Sequence, residues 1–179
     1  MSDRSDLLQI VKSVVKFGDF TLSSGKKSDF YIDCRLVTLS ARGLLLTSRM
    51  MLDLIRPMKP RAVGGLTLGA DPIAAGIAIE SARENAPIDA FIVRKEAKAH
   101  GAKKSIEGPD LPKGAKVVVV DDVVTTGGST ITAVERLREE AQVEVLCAIA
   151  LVDREEGGRE ALEKMGVKMH SLFRKSDLR

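Results

Sequence analysis

The chain has 179 residues, with 28 Lys plus Arg against 25 Asp plus Glu, and a formal charge of +3. Hydrophobic residues make up 44% and charged residues 30%, enough for one buried core inside a solvated surface, which excludes a disordered or low-complexity chain. Aromatics amount to only 3% with no Trp, too few for a platform that stacks single-stranded bases. The longest apolar run, Val145 to Val152, is far shorter than the roughly 20 residues of a membrane-spanning helix. The opening MSDRSDLLQI carries Asp3 and Asp6 and no extended apolar core, unlike a secretory signal. The expectation is a cytoplasmic protein with no membrane and no nucleic-acid partner. Cys34 and Cys147 stand far apart without a CxxC pair and read as small buried hydrophobes.

Leu7, Leu8, Val11, Val14 and Val15 follow helical spacing up to Phe17-Gly18, where Gly18 is expected as a C-terminal cap. A short extended piece, Phe30 to Asp33, precedes a second amphipathic helix predicted over Ala41 to Ile55, with Leu44, Leu45, Met51, Leu52 and Ile55 inward and Pro57 ending it. Strand and helix then alternate. Strands are predicted at Arg61 to Gly65, Ala90 to Arg94, Lys116 to Asp121, Val143 to Val152 and Val167 to Phe173. Helices are predicted at Asp71 to Arg83, Ser129 to Glu140 and Gly158 to Met165. Four consecutive valines, Val117 to Val120, mark a strand covered on both faces, as in a parallel sheet between helix layers. The fold class is α/β, a doubly wound and mostly parallel sheet flanked by helices, whose ligands bind beyond the carboxyl ends of the strands. No linker or repeat divides the chain, so 1–179 is expected to be a single domain.

The strongest chemical signal is VVVVDDVVTTGGST, Val117 to Thr130. A buried strand delivers Asp121 and Asp122, then Val123 and Val124, into a turn of Thr125, Thr126, Gly127 and Gly128 before a helix near Ser129. Gly127 and Gly128 permit dihedrals that let backbone N–H groups converge on an anion, and the helix N-terminus adds its dipole. The hydroxyls of Thr125, Thr126, Ser129 and Thr130 supply further donors. Carboxylates repel phosphate but accept hydrogen bonds from sugar hydroxyls, so a ribose bearing a 5′-phosphate fits both halves. The GxxxxGK[ST] of a P-loop and the GxGxxG of a dinucleotide site are both missing.

This segment resembles the phosphoribosyl pyrophosphate motif of the type I phosphoribosyltransferases. FTLSSGKKSDFYIDCR (Phe20 to Arg35) and VRKEAKAHG (Val93 to Gly101) resemble the N-terminal signature and the mobile catalytic loop of the orotate phosphoribosyltransferases. The resemblance implies the type I fold, with a small N-terminal hood (mainly 1–40) over a core (mainly 41–179). It implies a homodimer with shared active sites, orotate and phosphoribosyl pyrophosphate as substrates, and Mg²⁺ carried by the substrate rather than held directly by protein ligands. It assigns Arg94, Lys95, Lys98 and His100 to phosphoribosyl pyrophosphate, with Lys98 and His100 catalytic, together with Asp121 through Ser129. It assigns Thr125, Arg154, Tyr31 and Ile32 to orotate.

The residues support these assignments on chemical grounds. Arg94 to Lys104 holds five Lys or Arg against one Glu, so the remainder of the chain sums to −1. Departing pyrophosphate carries heavy negative charge, which positioned cations stabilise, and glycines in and after the segment suit a closing lid. Lys103 and Lys104 fall past the matching positions and read as solvated charge. Orotate bears a carboxylate, and the fork of Arg154 matches one bidentately; otherwise Arg154 would pair with Glu155 or Glu156 on the surface. In the turn GGLTLGADPIA, Gly64 to Ala74, Leu68 and Gly69 stand where many of these enzymes carry Tyr-Lys, and Ser23 stands where some carry Lys. Asp71 in that turn is an awkward neighbour for pyrophosphate. The rival readings are a phosphoribosyltransferase for another base, and a regulator that keeps the fold and nucleotide site without chemistry.

Overall fold

The computed structural model describes residues 3–21, 27–96 and 105–179. The first helix, α1 (Asp3–Ser13), buries Leu7 and Val11 and carries Asp3 and Asp6 in its first turn, where acids suit the helix dipole. It stops before the apolar spacing does. Val15 opens β1 (Val15–Thr21), which pairs antiparallel with β2 (Lys27–Ile32). Gly18 is therefore no helix cap: it lies inside β1 at a φ of +151°, where the register shifts between Phe17 and Phe20. Phe17 sits opposite Phe30 with the rings edge-on at 5.7 Å, a cross-strand pair that outweighs the helical continuation.

A single helical turn, α2 (Arg35–Thr38), leads into α3 (Ala41–Ile55). Ser40 caps α3 by accepting the Gly43 N–H at 3.1 Å, an interaction worth about 1 kcal/mol. Leu46, Met51, Leu52 and Ile55 are buried, whereas Leu44 and Leu45 are only half-buried, so the inward stripe is rotated by a residue from the predicted one.

The remaining elements are β3 (Ala62–Leu66), α4 (Ala70–Arg83), β4 (Asp89–Val93), β5 (Ile106–Glu107), β6 (Lys116–Val124), α5 (Gly128–Arg136), β7 (Glu144–Asp153), α6 (Gly158–Lys164) and β8 (Met169–Arg174). Six strands form one sheet in the order β5-β4-β3-β6-β7-β8, parallel throughout except for β5. Two-residue β5 shows no periodicity in sequence and was not expected. The helix predicted over Ser129 to Glu140 changes character at its end, where Leu137–Ala141 forms a π turn.

Side-chain alternation along β6 divides the core. Val118 and Val120 join the cluster formed with Leu46, Ile73 and Ile77 from α3 and α4, while Val117 and Val119 face Ala133, Val134 and Leu162 of α5 and α6. Each fully buried valine contributes about 1.5–3 kcal/mol, which secures the register that delivers the acid pair. From β3 the chain winds one way to β4, while β6 lies on the opposite side of β3. The strand order reverses there, so the crevice at the carboxyl ends of β3 and β6 is where an open α/β sheet receives ligand.

Candidate active site

β6 runs three residues beyond its predicted end, so Asp121 and Asp122 lie within the strand, at 6% and 8% exposure. Asp121 Oδ1 accepts the Asp122 N–H at 3.0 Å and its Oδ2 accepts the Thr130 hydroxyl at 3.1 Å. Asp122 Oδ1 accepts the Val123 N–H at 2.8 Å. Neither acid forms an ion pair among the described residues. Burial, followed by the neighbouring Asp122 charge, pushes the Asp121 carboxyl upward. Burial also raises Asp122, offset in part by the Val123 N–H. The pair is thus desolvated and ready to accept hydrogen bonds from hydroxyls.

Beyond the acids, a cavity of about 270 Å³ is lined by Asp121 and residues 123–130. Gly127 adopts φ +84° as the N-cap of α5, while Gly128 does not take the left-handed conformation and faces open space. Of the two glycines, the turn uses the left-handed conformation at Gly127 alone. Thr130 directs its hydroxyl at Asp121, leaving Thr125, Thr126 and Ser129 as the hydroxyls for an anion. The following chain braces the turn: the Arg154 N–H donates to Val124 O at 2.9 Å and the Gly158 N–H to Thr125 O at 3.1 Å.

Across the switch point, Leu68 is 58% exposed and Gly69 packs against the acid pair. A Cβ at Gly69 would overlap Asp122 Oδ1 and stand 3.1 Å from Asp121 Oδ1. A side chain at 69 would require the Asp122 carboxylate to shift. Asp71 is not left facing the crevice alone, because its Oδ2 accepts the Thr67 hydroxyl at 2.7 Å. Thr67, Asp71, Arg94 and Lys95 line a second cavity of about 490 Å³. Arg94 closes β4 with its N–H on Ser105 O at 2.7 Å. Lys98, His100, Lys103, Lys104 and Ser23 lie outside the described residues.

Arg154, at the end of β7, is 7% exposed. It pairs with Glu156 at 2.8 Å, reaches Phe30 O at 3.5 Å and lies 5.5 Å from the Phe30 ring centroid. Of the neighbouring strand, Ile32 is buried and Tyr31 is partly exposed, its ring tilted against Phe20 at 5.6 Å. Cys34 is buried, and its thiol is pushed well up by burial first and then by Asp122, Asp33 and Asp121, with Arg154 acting the other way. Two residues with no sequence signal complete this corner. Lys175 Nζ lies 5.3 Å from the Phe30 ring centroid and pairs with Asp29 at 2.9 Å.

Among the described residues, no three His, Cys, Asp or Glu side chains cluster as a metal cage. Two buried carboxylates with no ion pair among the described residues suit a magnesium ion that arrives on a substrate's oxygens.

An acid pair and a glycine-capped anion turn at the switch point of this sheet define the phosphoribosyltransferase class, and residues 44–172 match the phosphoribosyl transferase domain. Within that class the chain belongs to the orotate phosphoribosyltransferase family. It is 53% identical to orotate phosphoribosyltransferase of Nostoc sp., over 91% of this chain and 78% of that one. It is 47% identical to the Aquifex aeolicus enzyme, over 99% and 98% respectively. Orotate phosphoribosyltransferase of Mycobacterium tuberculosis, solved in complex with 5-phospho-alpha-D-ribosyl 1-diphosphate, superposes with a TM-score of 0.83 at 38% identity over 99% of both chains. Adenine phosphoribosyltransferase of Leishmania donovani, at 19% identity and a TM-score of 0.69, shares the fold alone.

Proposed function

We propose that the chain transfers ribose 5-phosphate from phosphoribosyl pyrophosphate to orotate, yielding orotidine 5′-phosphate and pyrophosphate for pyrimidine synthesis. The observation that carries this reading is the buried Asp121–Asp122 pair, without an ion pair among the described residues, beside the Thr125–Ser129 cradle, with the Arg154 guanidinium on the adjacent strand end. Asp121 and Asp122 accept the ribose hydroxyls and fix the sugar, while the backbone of Val123 to Gly128 and the hydroxyls of Thr125, Thr126 and Ser129 hold the 5′-phosphate. Arg154 receives the orotate carboxylate, Thr125 meets the base edge, and Tyr31 and Ile32 pack over the ring.

A ring nitrogen of orotate bonds to the anomeric carbon as the bond to pyrophosphate breaks, the electron pair leaves on the pyrophosphate oxygen, and the nitrogen's proton is released. Arg94 and Lys95, with Lys98 and His100, take up the negative charge that develops on the leaving group. When bound, magnesium offsets pyrophosphate charge. Lys and His groups from a neighbouring subunit's cationic segment complete the site, so the working form is a homodimer. Residues 1–40 act as a hood over the core of residues 41–179 within one domain. Among the described residues no helix is long and apolar enough to cross a membrane, and the enzyme works in the cytoplasm.

The rivals differ in what they ask of Arg154. Purine bases carry no carboxylate to meet a nearly buried guanidinium, and a regulator needs no cationic segment beside its nucleotide site. Purified protein with magnesium, phosphoribosyl pyrophosphate and orotate is expected to consume the near-ultraviolet absorbance of orotate, with adenine, hypoxanthine and uracil poor substitutes. Unchanged absorbance would overturn the proposal.

A further inference from the structure

The strand that delivers Arg154 continues into a bend whose charged residues are each given a partner by the fold. Asp153, 3% exposed, accepts the Arg159 guanidinium on Oδ2 at 3.0 Å, and Arg159 also donates to Met169 O, which ties Asp153 to β8. Asp153 Oδ1 takes the Glu155 N–H at 2.9 Å, an Asx turn. Glu155 then adopts φ +58°, a left-handed conformation that a residue bearing a Cβ keeps only where other contacts hold it. Those contacts come from 21 residues away: Glu155 accepts the Ser176 N–H at 2.9 Å and its hydroxyl at 3.2 Å, in the turn that follows β8. The chain bends through 155–157, and Glu156 Oε1 meets Arg154 Nη2 at 2.8 Å, the same nitrogen that reaches Phe30 O.

We infer that Glu155 and Glu156 are positioning residues for the base site: Glu155, pinned between Asp153 and Ser176, turns the chain so that Glu156 grips the Arg154 guanidinium and fixes the plane it offers to the orotate carboxylate. The inference rests on the reading of Arg154 as the orotate contact. A guanidinium is planar, so two acceptors on one of its nitrogens restrain the rotation of the whole fork. Orotate then meets a fork already set, and less of its binding energy is lost in ordering it. Glu156 is itself a carboxylate and repels the one that orotate brings. At 34% exposure that repulsion is screened by water, whereas the grip on Arg154 is a direct, charge-assisted contact. Orientation therefore outweighs repulsion, and removing Glu156 weakens orotate binding instead of tightening it.

The test uses the full-length enzyme in steady-state kinetics with orotate, in inhibition by uracil, which lacks the carboxylate, and in calorimetry with ribose 5-phosphate. Glu156→Ala and Glu155→Ala are each expected to raise the orotate KM about tenfold while kcat falls no more than about threefold. Uracil inhibition and ribose 5-phosphate affinity should stay within about twofold of the parent enzyme, a split that a merely loosened fold would not give. Glu156→Gln, whose amide oxygen still accepts from Arg154, should recover most of the loss. Ser176→Ala, which removes the hydroxyl but keeps the N–H, should raise the KM only about threefold. In an Arg154→Ala background the effects of Glu155→Ala and Glu156→Ala on orotate should vanish, because no guanidinium is left to orient. An unchanged or lowered orotate KM in Glu156→Ala, or equal weakening of orotate, uracil and ribose 5-phosphate in either variant, would overturn the inference. An orotate KM in Arg154→Ala equal to that of the parent enzyme would instead overturn the reading on which it rests.

Discussion

The cradle from Asp121 to Thr130 is made of ten consecutive residues, whereas the corner around Arg154 brings together Phe30, Tyr31, Cys34, Arg154 and Lys175 from opposite ends of the chain. The cradle comes with its own scaffold: the strand that delivers the acids is buried on both faces, and one left-handed glycine turns it into the helix. The base corner has no such local scaffold. It exists only when β2 docks on the end of β7 and when Lys175 closes over Phe30. The groups proposed to hold the sugar phosphate are local in sequence, and those proposed to choose the base are held by long-range contacts that must be closed on folding.

Substitutions that separate the two regions put this contrast at risk, the most damaging being Asp121→Asn with Asp122→Asn. Turnover (kcat/KM) is expected to fall on the order of a thousandfold, while the ligand-free protein melts about 2–4 °C higher, because two desolvated acids no longer face each other. Their native values are raised above the unfolded carboxylate value, so the folded state holds more protons and stability declines as pH rises from about 4 toward the raised native value. The double variant should flatten that decline in a series of thermal melts. A lower melting temperature would mean that the acids brace the fold instead of serving the ligand.

Arg154→Ala comes next, with a loss on the order of a hundredfold in kcat/KM for orotate and no change in ribose 5-phosphate affinity. Discrimination between orotate and uracil should shrink with it in a competition assay. If both ligands weakened together, the two regions would not be separable. The smallest effect is expected from Lys175→Ala, which removes a cation from the Phe30 ring and from Asp29. The orotate KM should rise roughly threefold to tenfold with phosphate binding intact, as steady-state kinetics would show. An unaltered KM would make the lysine a mere surface partner of Asp29.

The same contrast explains what could be read in the sequence. Valine runs, an acid pair and a Thr-Thr-Gly-Gly turn are periodic or local signals, so the central strand, its helix and the turn between them were legible, with the strand end three residues short and the π turn unforeseen. The N-terminal hairpin was hidden because Val15 satisfies helical spacing as well as its pairing opposite Ile32, and only the partner strand around Phe30, fifteen residues away with its own register, decides between them. Asp71 looked misplaced beside pyrophosphate because its partner, Thr67, becomes visible only when the turn is folded. Lys175 and Asp29 carry no motif at all.

Gly69 ties the turn after β3 to the acid pair. With that pair seated against its backbone, a side chain at position 69 fits only once the Asp122 carboxylate has moved. Introducing the Tyr-Lys pair of many related enzymes into this turn therefore requires the Asp122 side chain to settle in another rotamer, and the cost of that movement falls on the acid pair.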